Sequence, residues 1–274
     1  MKTVIFISFT VLIISACQKK EFNIENLNGN KITALGHAGL GIGSPYPMNS
    51  LESLLKCLNL GSDGTELDVQ MTKDSVLVAY HNNELSSNTN LTGIINSLNW
   101  NDIKHGHYTS TPYLNYSIIS VDQLFSNVEN VQQYKFTFDC KLYTNSNNTD
   151  QFHEAYINAL IAIIEKYQLE NNVYIEAQNV DFLKSFKDKR PDYKLFIYPS
   201  SFQSGFDIAT SLGLYGITIS TREITKEQIQ LAHANNLFVA IWNTHSISDN
   251  IEAIKKNPDF IQTDNVKNLV KLLK

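Results

Sequence analysis

Eight short apolar segments with the composition of β-strands alternate along this chain with segments that have helical periodicity. The predicted strands are 32–37, 64–69, 135–141, 173–178, 194–198, 216–220, 238–243 and 259–263. The predicted helices are 50–60, with Asn49 as its N-cap, and then 150–167, 182–187, 206–212, 225–235, 249–256 and 266–273. Eight strands that alternate with helices predict an α/β fold, the closed parallel (β/α)8 or TIM barrel.

A hairpin and a long polar stretch interrupt this alternation after the second strand. Residues 72–75 predict a turn and residues 76–80 a returning strand, which sets His81 roughly opposite Glu66. The chain from there to about residue 117 is rich in Asn, Ser, Thr and Tyr, and it predicts an irregular excursion with one short helix at 100–103. Long irregular segments of this kind often carry substrate contacts.

Two carboxylates occupy alternate positions of the second predicted strand. Glu66 and Asp68 therefore share one face, with His81 beside them. Like charges this close repel each other unless a cation lies between them, so the pattern favours a site for a hard metal ion. The alternative interpretation is an exposed edge strand whose polar face is acidic.

Polar side chains also recur where other predicted strands end. The strand-end residues are His37, Glu66, Asp68, Asp139, Lys141, Trp242 and Asn243. In a parallel barrel the carboxyl ends of all strands lie on one rim, so these residues are predicted to form one site. Glu176, on the fourth predicted strand, is a further candidate for that site.

Charge and size exclude one large class of function. The chain has 274 residues and a net charge of -5, and no Lys/Arg cluster supplies the basic surface that binding to nucleic acid requires. No shift in composition marks a boundary inside residues 31–274, which we interpret as one domain.

The first residues predict export from the cytoplasm. Met1-Lys2 and a short apolar run over residues 4–14 have the form of a signal peptide spanning 1–16. The small residues just before Cys17 resemble a bacterial lipobox, which implies lipidation of Cys17, a tether over 17–30 and anchoring in a membrane of the bacterial cell envelope. The alternative is an ordinary signal peptide with an incidental cysteine.

The remaining cysteines and two nearby histidines have ordinary interpretations. Cys57 and Cys140 lie within apolar segments, where small buried thiols are more frequent than a disulfide. His105 and His107 could form a second metal site. They have no carboxylate partner nearby, however, so the interpretation as exposed loop residues is favoured.

These motifs resemble those of the glycerophosphodiester phosphodiesterase family. That family carries His-Arg-Gly, Pro-Glu-Asn-Thr, Ile-Glu-Leu-Asp-Val with Thr-Lys-Asp-Gly, Val-Val-x-His-Asp, Glu-x-Lys and Trp-Thr. The matching stretches here are GHAG at 36–39, PMNS at 47–50, TELDV at 65–69, TKDS at 72–75, VAYHN at 78–82, FDCK at 138–141 and WN at 242–243. The similarity covers essentially the whole mature chain.

The resemblance implies a metal-dependent hydrolase that releases glycerol 3-phosphate and an alcohol from a small phosphodiester. It implies that His37 and His81 are the acid/base pair, and that Glu66, Asp68 and Asp139 hold Ca²⁺ or Mg²⁺. It further implies that Lys141 faces the phosphate and that Trp242 lines the alcohol pocket. The glycerol 2-hydroxyl would act as an internal nucleophile, and the cyclic phosphate so formed would then be hydrolysed.

Three departures from the family pattern bear on the substrate. Ala38 replaces the Arg and Met48 replaces the Glu, so a positive and a negative group are missing together, and Asp139 is one methylene shorter than the usual Glu. We interpret this as a variant pocket. Two alternatives are a related phosphodiesterase acting on phosphoinositides or phospholipids, and an inactive, lipid-anchored binding barrel. The sequence leaves the oligomeric state open.

Overall fold

A closed barrel of eight parallel strands dominates the fold in a computed structural model that describes residues 22–114 and 116–274. The barrel strands are β1 (Thr33–Gly36), β2 (Gly64–Met71), β5 (Lys135–Cys140), β6 (Val173–Ala177), β7 (Lys194–Ile197), β8 (Gly216–Ser220), β9 (Phe238–Thr244) and β10 (Phe260–Thr263). Two short antiparallel strands, β3 (Leu77–Ala79) and β4 (Ile119–Ser120), extend the sheet from β2. The barrel closes because β1 pairs with both β10 and β2, and the predicted TIM barrel is thus confirmed.

Helices cover the outside of the barrel. They are α1 (Leu51–Asn59), α3 (Val121–Asn127), α4 (Thr149–Lys166), α5 (Val180–Lys189), α6 (Phe202–Leu212), α7 (Lys226–Ala234), α8 (Ile247–Lys255) and α9 (Val266–Leu273). The short helix α2 (Trp100–Ile103) belongs to the excursion. The sequence did not lead us to predict α3. Its signal was a capping box, in which Ser120 and Gln123 each accept a hydrogen bond from the other's backbone N–H.

Alternation along the strands separates an apolar layer from a polar interior. On β2, Leu67 and Val69 pack against the surrounding helices, while Glu66 and Asp68 belong to the opposite face. A separate cluster containing Leu35, Tyr174, Phe196, Ala240 and Phe260 is also buried. The acidic face of β2 is therefore part of the barrel interior and not of an edge, since β2 pairs with β1, β3 and β5.

The hairpin after β2 differs by one residue from the predicted register. Val69 pairs with Ala79, and the Tyr80 N–H donates to the Asp68 carbonyl at 3.0 Å, so His81 follows on beside Leu67. Ser75 has a φ of 64°, which accommodates one more residue in the loop than we predicted. The excursion has its own small core, which includes Val78, Tyr80, Leu85, Ile95, Ile103, Tyr108 and Ile118.

Residues 22–30, the described part of the predicted tether, pack against the barrel. Asn26 donates to the Pro258 carbonyl at 2.8 Å, and the Asn28 N–H donates to Asp259 Oδ1 at 3.0 Å. The predicted signal peptide and Cys17 lie outside the described residues. Among the described residues, none of the helices combines the length and apolar character needed to cross a bilayer.

Asp259 is predicted to be the main polar anchor at this end of the barrel. Its buried carboxylate accepts from the Asn28 N–H, from the Val239 N–H at 2.7 Å and from His233 Nε2 at 2.9 Å. Asp259→Ala leaves these donors unpaired, so we expect the free energy of unfolding to fall by about 2 to 3 kcal/mol in urea denaturation. Asp188→Ala, at an exposed position of α5, should change it by less than about 0.5 kcal/mol. Equal unfolding midpoints for the two variants would contradict this role.

Candidate active site

The carboxyl end of the barrel opens into a cavity of about 500 Å³. Its walls come from the strand ends, the loop between β1 and α1, and the excursion. Seven side chains that the sequence assigned to the site line this cavity: His37, Glu66, Asp68, His81, Asp139, Lys141 and Trp242. Glu176 lines it as well. Asn243, which the strand-end pattern also placed in the site, does not line it.

Three buried carboxylates form a compact group in this cavity. Glu66 and Asp68 are each 3% exposed and Asp139 is 9% exposed. Asp139 lies on β5 directly in register with Asp68 on β2. One oxygen from each of the three side chains lies within 4.8 Å of the others, which is close enough for one ion to contact all three.

The electrostatics of this group also fit a cation. Burial raises the pKa of Glu66 well above its ordinary value, and repulsion by Asp68 and Asp139 raises it further. Lys141 Nζ lies 2.7 Å from Asp139 Oδ2 and 3.1 Å from Asp68 Oδ1. A single lysine balances one of the three negative charges, so a divalent cation would complete the neutralisation.

Asn49 holds one of these carboxylates, which corrects its predicted role as a helix cap. Ser50 caps α1 instead, and its side chain accepts from the Ser53 N–H at 3.2 Å. A φ of 65° turns the buried Asn49 towards β2. There its Nδ2 donates to Asp68 Oδ2 at 2.7 Å, and its Oδ1 accepts from the Asp68 N–H at 2.9 Å. An asparagine just before a helix looks like a cap in the sequence, whether its side chain bonds to the helix or to a neighbouring strand.

His37 pairs with a carboxylate that the sequence analysis missed. Its Nδ1 lies 2.7 Å from Oδ1 of Asp264, which follows β10, and Oδ2 of Asp264 lies 2.5 Å from His245 Nδ1. Burial by itself would lower the pKa of His37, but the hydrogen bond to Asp264 and the charges of Asp264, Asp68 and Asp139 together outweigh it, and the pKa is raised. This pairing leaves Nε2 of His37 as the nitrogen available to a substrate.

His81 has a neutral partner. This exposed side chain places Nδ1 2.8 Å from Asn82 Oδ1. Gln70 Nε2 donates to the carbonyls of Tyr80 and Asn82, at 2.7 and 2.9 Å, and so fixes the backbone on both sides of His81. The two histidines thus differ in the charge of the group that orients them.

Glu176 and Trp242 complete the cavity lining. Glu176 Oε1 accepts from Thr218 at 2.5 Å and from Gln262 at 2.8 Å, and burial raises the pKa of Glu176 to about 8. The Trp242 ring lies 6.3 Å from the His37 ring and 5.6 Å, edge to face, from that of Tyr198. Trp242 therefore both lines the cavity and packs against its aromatic neighbours.

The structure also shows the surroundings of the two remaining cysteines and of the histidine pair at 105 and 107. Cys57 and Cys140 are buried free thiols, as predicted. His105 is exposed, and His107 forms an isolated bridge with Ser117 in the excursion. Neither histidine lines the cavity described above.

A (β/α)8 barrel with carboxylates, a lysine and two histidines at its carboxyl rim has the architecture of a barrel enzyme. More narrowly, the chain belongs to the Glycerophosphoryl diester phosphodiesterase family, whose model matches residues 40–268. It is therefore an enzyme of a phosphoric diester hydrolase family.

Individual relatives agree with this assignment. A glycerophosphodiester phosphodiesterase of Bacillus altitudinis is 24% identical over 85% of this chain and 95% of its own length. An Oleispira antarctica phosphodiesterase, solved with the product sn-glycerol-3-phosphate, has a TM-score of 0.76 at 17% identity and covers 88% of this chain and 96% of that one. A glycerophosphodiester phosphodiesterase from Parabacteroides distasonis has a TM-score of 0.72 at 19% identity, with coverage of 89% and 98%. At these identities the solved structures show a common fold.

The contact between Asp264 and His37 predicts a titration shift. Asp264→Asn keeps an oxygen acceptor for Nδ1 but removes the charge, so we expect the pKa of His37 to fall in an NMR titration of the histidine rings. Asp249→Asn is the matched control, because Asp249 contacts the backbone of His245 and not His37. An unchanged His37 pKa in Asp264→Asn would contradict the electrostatic role of this carboxylate.

Proposed function

We propose that the chain hydrolyses glycerophosphodiesters to glycerol 3-phosphate and an alcohol, with a divalent cation bound by Glu66, Asp68 and Asp139. The observation that carries the proposal is the grouping of three buried carboxylates within 4.8 Å in the cavity that also holds two histidines. The names of the relatives and the bound product of the Oleispira antarctica enzyme support this substrate class.

Oxygen ligands of this kind suit Ca²⁺ or Mg²⁺. When bound, such an ion would offset negative charge on the phosphate and on the carboxylates around it. Asn49 and the Ala38 N–H would keep two of the ligands in place, because they already bond to Asp68 and Glu66 at 2.7 Å each. The aspartate at 139 lies in register with Asp68, so its shorter side chain still reaches the group.

Lys141 would contact the phosphate. Burial alone would lower the pKa of Lys141, but the charges of Asp68 and Asp139 raise it above its ordinary value. The side chain therefore remains a cation that can pair with a phosphate oxygen near the three carboxylates. Trp242, whose ring lies 6.3 Å from that of His37, would form an apolar surface for the alcohol group.

The different partners of the two histidines support different roles for them in acid-base catalysis. Asp264 helps to raise the pKa of His37 and so favours its protonated form, whose Nε2 would give a proton to the leaving alkoxide. His81, beside the neutral Asn82, would accept the proton of the attacking 2-hydroxyl at its free ring nitrogen. In the second half of the reaction the two exchange roles, and water opens the cyclic phosphate.

An inactive binding barrel is the weaker candidate. Its motivation is the loss of two charged family residues at Ala38, which is fully buried, and at Met48, which lines the cavity. A protein that only binds has no use for two differently paired histidines on one cavity. The intact set of His37, His81 and the three carboxylates therefore favours catalysis.

Release of glycerol 3-phosphate from a panel of glycerophosphodiesters tests the proposal directly. We expect release by the wild-type chain with Ca²⁺ or Mg²⁺ and little release in a chelator. Because they remove the acid and a metal ligand, His37→Ala and Glu66→Gln should each lower kcat by about a hundredfold or more. Glu66→Gln should also abolish binding of the metal ion in isothermal titration calorimetry.

Two matched variants control for general damage to the protein. His107→Ala and Glu129→Gln change the same residue types outside the cavity, and we expect activity within about twofold of wild type. No turnover of any phosphodiester by the wild-type chain, with or without metal, would refute the hydrolase and favour the binding barrel.

We also propose that Cys17 carries a lipid that anchors the protein in the cell envelope. The support is the small-residue lipobox pattern that follows the apolar run 4–14. In bacterial cells grown with a labelled fatty acid, the wild-type chain should incorporate label and sediment with membranes, whereas Cys17→Ala should do neither. Equal labelling of the two proteins would contradict the anchor.

A further inference from the structure

Three adjacent barrel strands end in one hydrogen-bonded group of side chains. His245 directly follows β9, Asp264 directly follows β10 and His37 directly follows β1. The Asp264 N–H donates to the Thr244 carbonyl at 3.0 Å, and the His37 N–H donates to the carbonyl of Thr263 at the same distance. Strand pairing therefore sets the three residues side by side. Asp264 lies in the middle, with Oδ1 on His37 and Oδ2 on His245, so one carboxylate serves two histidines.

The carboxylate of Asp264 is packed in place between these histidines. Its side chain is only 4% exposed. Gly41, at a φ of 71°, brings its backbone so close that a Cβ at this position would lie 2.1 Å from Asp264 Oδ1. The loop after β1 thus limits how far the carboxylate can turn away from either partner.

Both ring nitrogens of His245 face hydrogen-bond acceptors. Nδ1 lies 2.5 Å from Asp264 Oδ2, and Nε2 lies 2.6 Å from Asn243 Oδ1. Asn243 donates through Nδ2 to Ser220 Oγ at 3.2 Å, which directs its Oδ1 to the imidazole. A carboxylate oxygen and an amide oxygen can only accept, so both bonds form only when the ring carries a proton on each nitrogen.

The surroundings of His245 tolerate that positive charge. Its side chain is 40% exposed, so water can solvate the ring. A second acid, Asp249, bonds to the backbone and not to the ring, because its Oδ2 accepts from the N–H groups of His245 and Ser246 at 3.1 and 2.9 Å. The ring is therefore left to Asp264 and Asn243.

A cation at this place offsets the anionic surroundings of His37. Burial lowers the pKa of His37, whereas the hydrogen bond to Asp264 raises it, and the charges of Asp264, Asp68 and Asp139 raise it further. A general acid works best when its pKa lies near the working pH, because a more basic group gives up its proton less readily. Positive charge on the second oxygen of Asp264 draws on the same carboxylate and so counters this rise.

We infer that His245 is a positioning residue for the general acid: it shares Asp264 with His37 and, with a proton on each ring nitrogen, limits how strongly that carboxylate holds the proton of His37. The inference rests on the proposed function, in which His37 protonates the leaving alkoxide. His245 acts through Asp264 and needs no contact with the substrate.

Two substitutions of His245 separate its charge from its hydrogen bond. His245→Gln keeps a neutral N–H donor, whereas His245→Arg keeps a cationic one. In an NMR titration of the histidine rings we expect the pKa of His37 to be higher in His245→Gln than in the wild type, because the full charge of Asp264 then falls on His37. The His245→Arg variant should titrate close to the wild type.

The pH dependence of alcohol release by the full-length protein with metal provides the kinetic readout. In His245→Gln the alkaline limb of the kcat profile, which reports loss of the acid's proton, should move to higher pH. On the plateau, kcat should fall by about threefold to tenfold because the acid is weaker, while KM stays within about twofold. His245→Arg should restore both the limb and the plateau.

His233→Gln is the matched control. It takes a histidine from another buried aspartate, Asp259, which lies 2.9 Å from His233 Nε2 at the amino end of the barrel. We expect a lower unfolding midpoint in urea but no change in the titration of His37 or in the alkaline limb. A purely structural contribution of a histidine–aspartate pair is therefore measured separately.

The possible outcomes distinguish this inference from the proposed function. Normal turnover by His245→Gln with an unchanged titration of His37 would overturn the inference and leave the hydrolase intact. Equal shifts in His245→Gln and His245→Arg would also overturn it, because the charge would then have no part. No turnover by the wild-type protein would refute the proposed function, whereas the NMR titration would still decide whether His245 controls the proton affinity of His37.

Discussion

Mutual repulsion among Glu66, Asp68 and Asp139 is the constraint around which the carboxyl end of this barrel is arranged. Three carboxylates with oxygens within 4.8 Å of one another are unfavourable when buried unless cations and hydrogen-bond donors surround them. Lys141 supplies a charge, Asn49 supplies an amide and the Ala38 backbone supplies an N–H. The donors come from β5, from the turn before α1 and from the end of β1, so the site depends on closure of the barrel.

The amino end of the barrel contributes hydrogen bonds that stabilise the fold, and the carboxyl end carries the candidate active site. At the amino end, Asp259 joins residues 22–30, β9 and α7 through satisfied hydrogen bonds. At the carboxyl end, polar groups remain partly unneutralised, as the raised pKa of Glu66 indicates. Both histidines lie at the carboxyl end, where His37 has an anionic partner and the exposed His81 has an amide. That difference gives two chemically identical side chains different electrostatic surroundings.

The excursion gives this barrel its particular cavity. Its small core holds Tyr80 and Tyr108 in place, and Tyr108 and Tyr113 connect it to the loop after β1. The loop carries Met48 where the family has a glutamate, so the cavity lining is uncharged at this position.

The sequence by itself determined the barrel, its strand order and seven of the side chains that line the cavity, because strand periodicity and the carboxyl-end rule depend only on local pattern. The same rule wrongly added Asn243. Only the tertiary structure revealed Asp264 and the true role of Asn49. Asp264 is 227 residues from His37 along the chain, and no local pattern links them. In the sequence Asn49 fits a helix cap equally well, and only the structure shows that a φ of 65° directs its side chain to β2. The hairpin register was missed by one residue because a residue with positive φ leaves no distinct signal in a turn-like sequence. Local pattern thus specifies which residues face the cavity, while closure of the chain decides which of them touch.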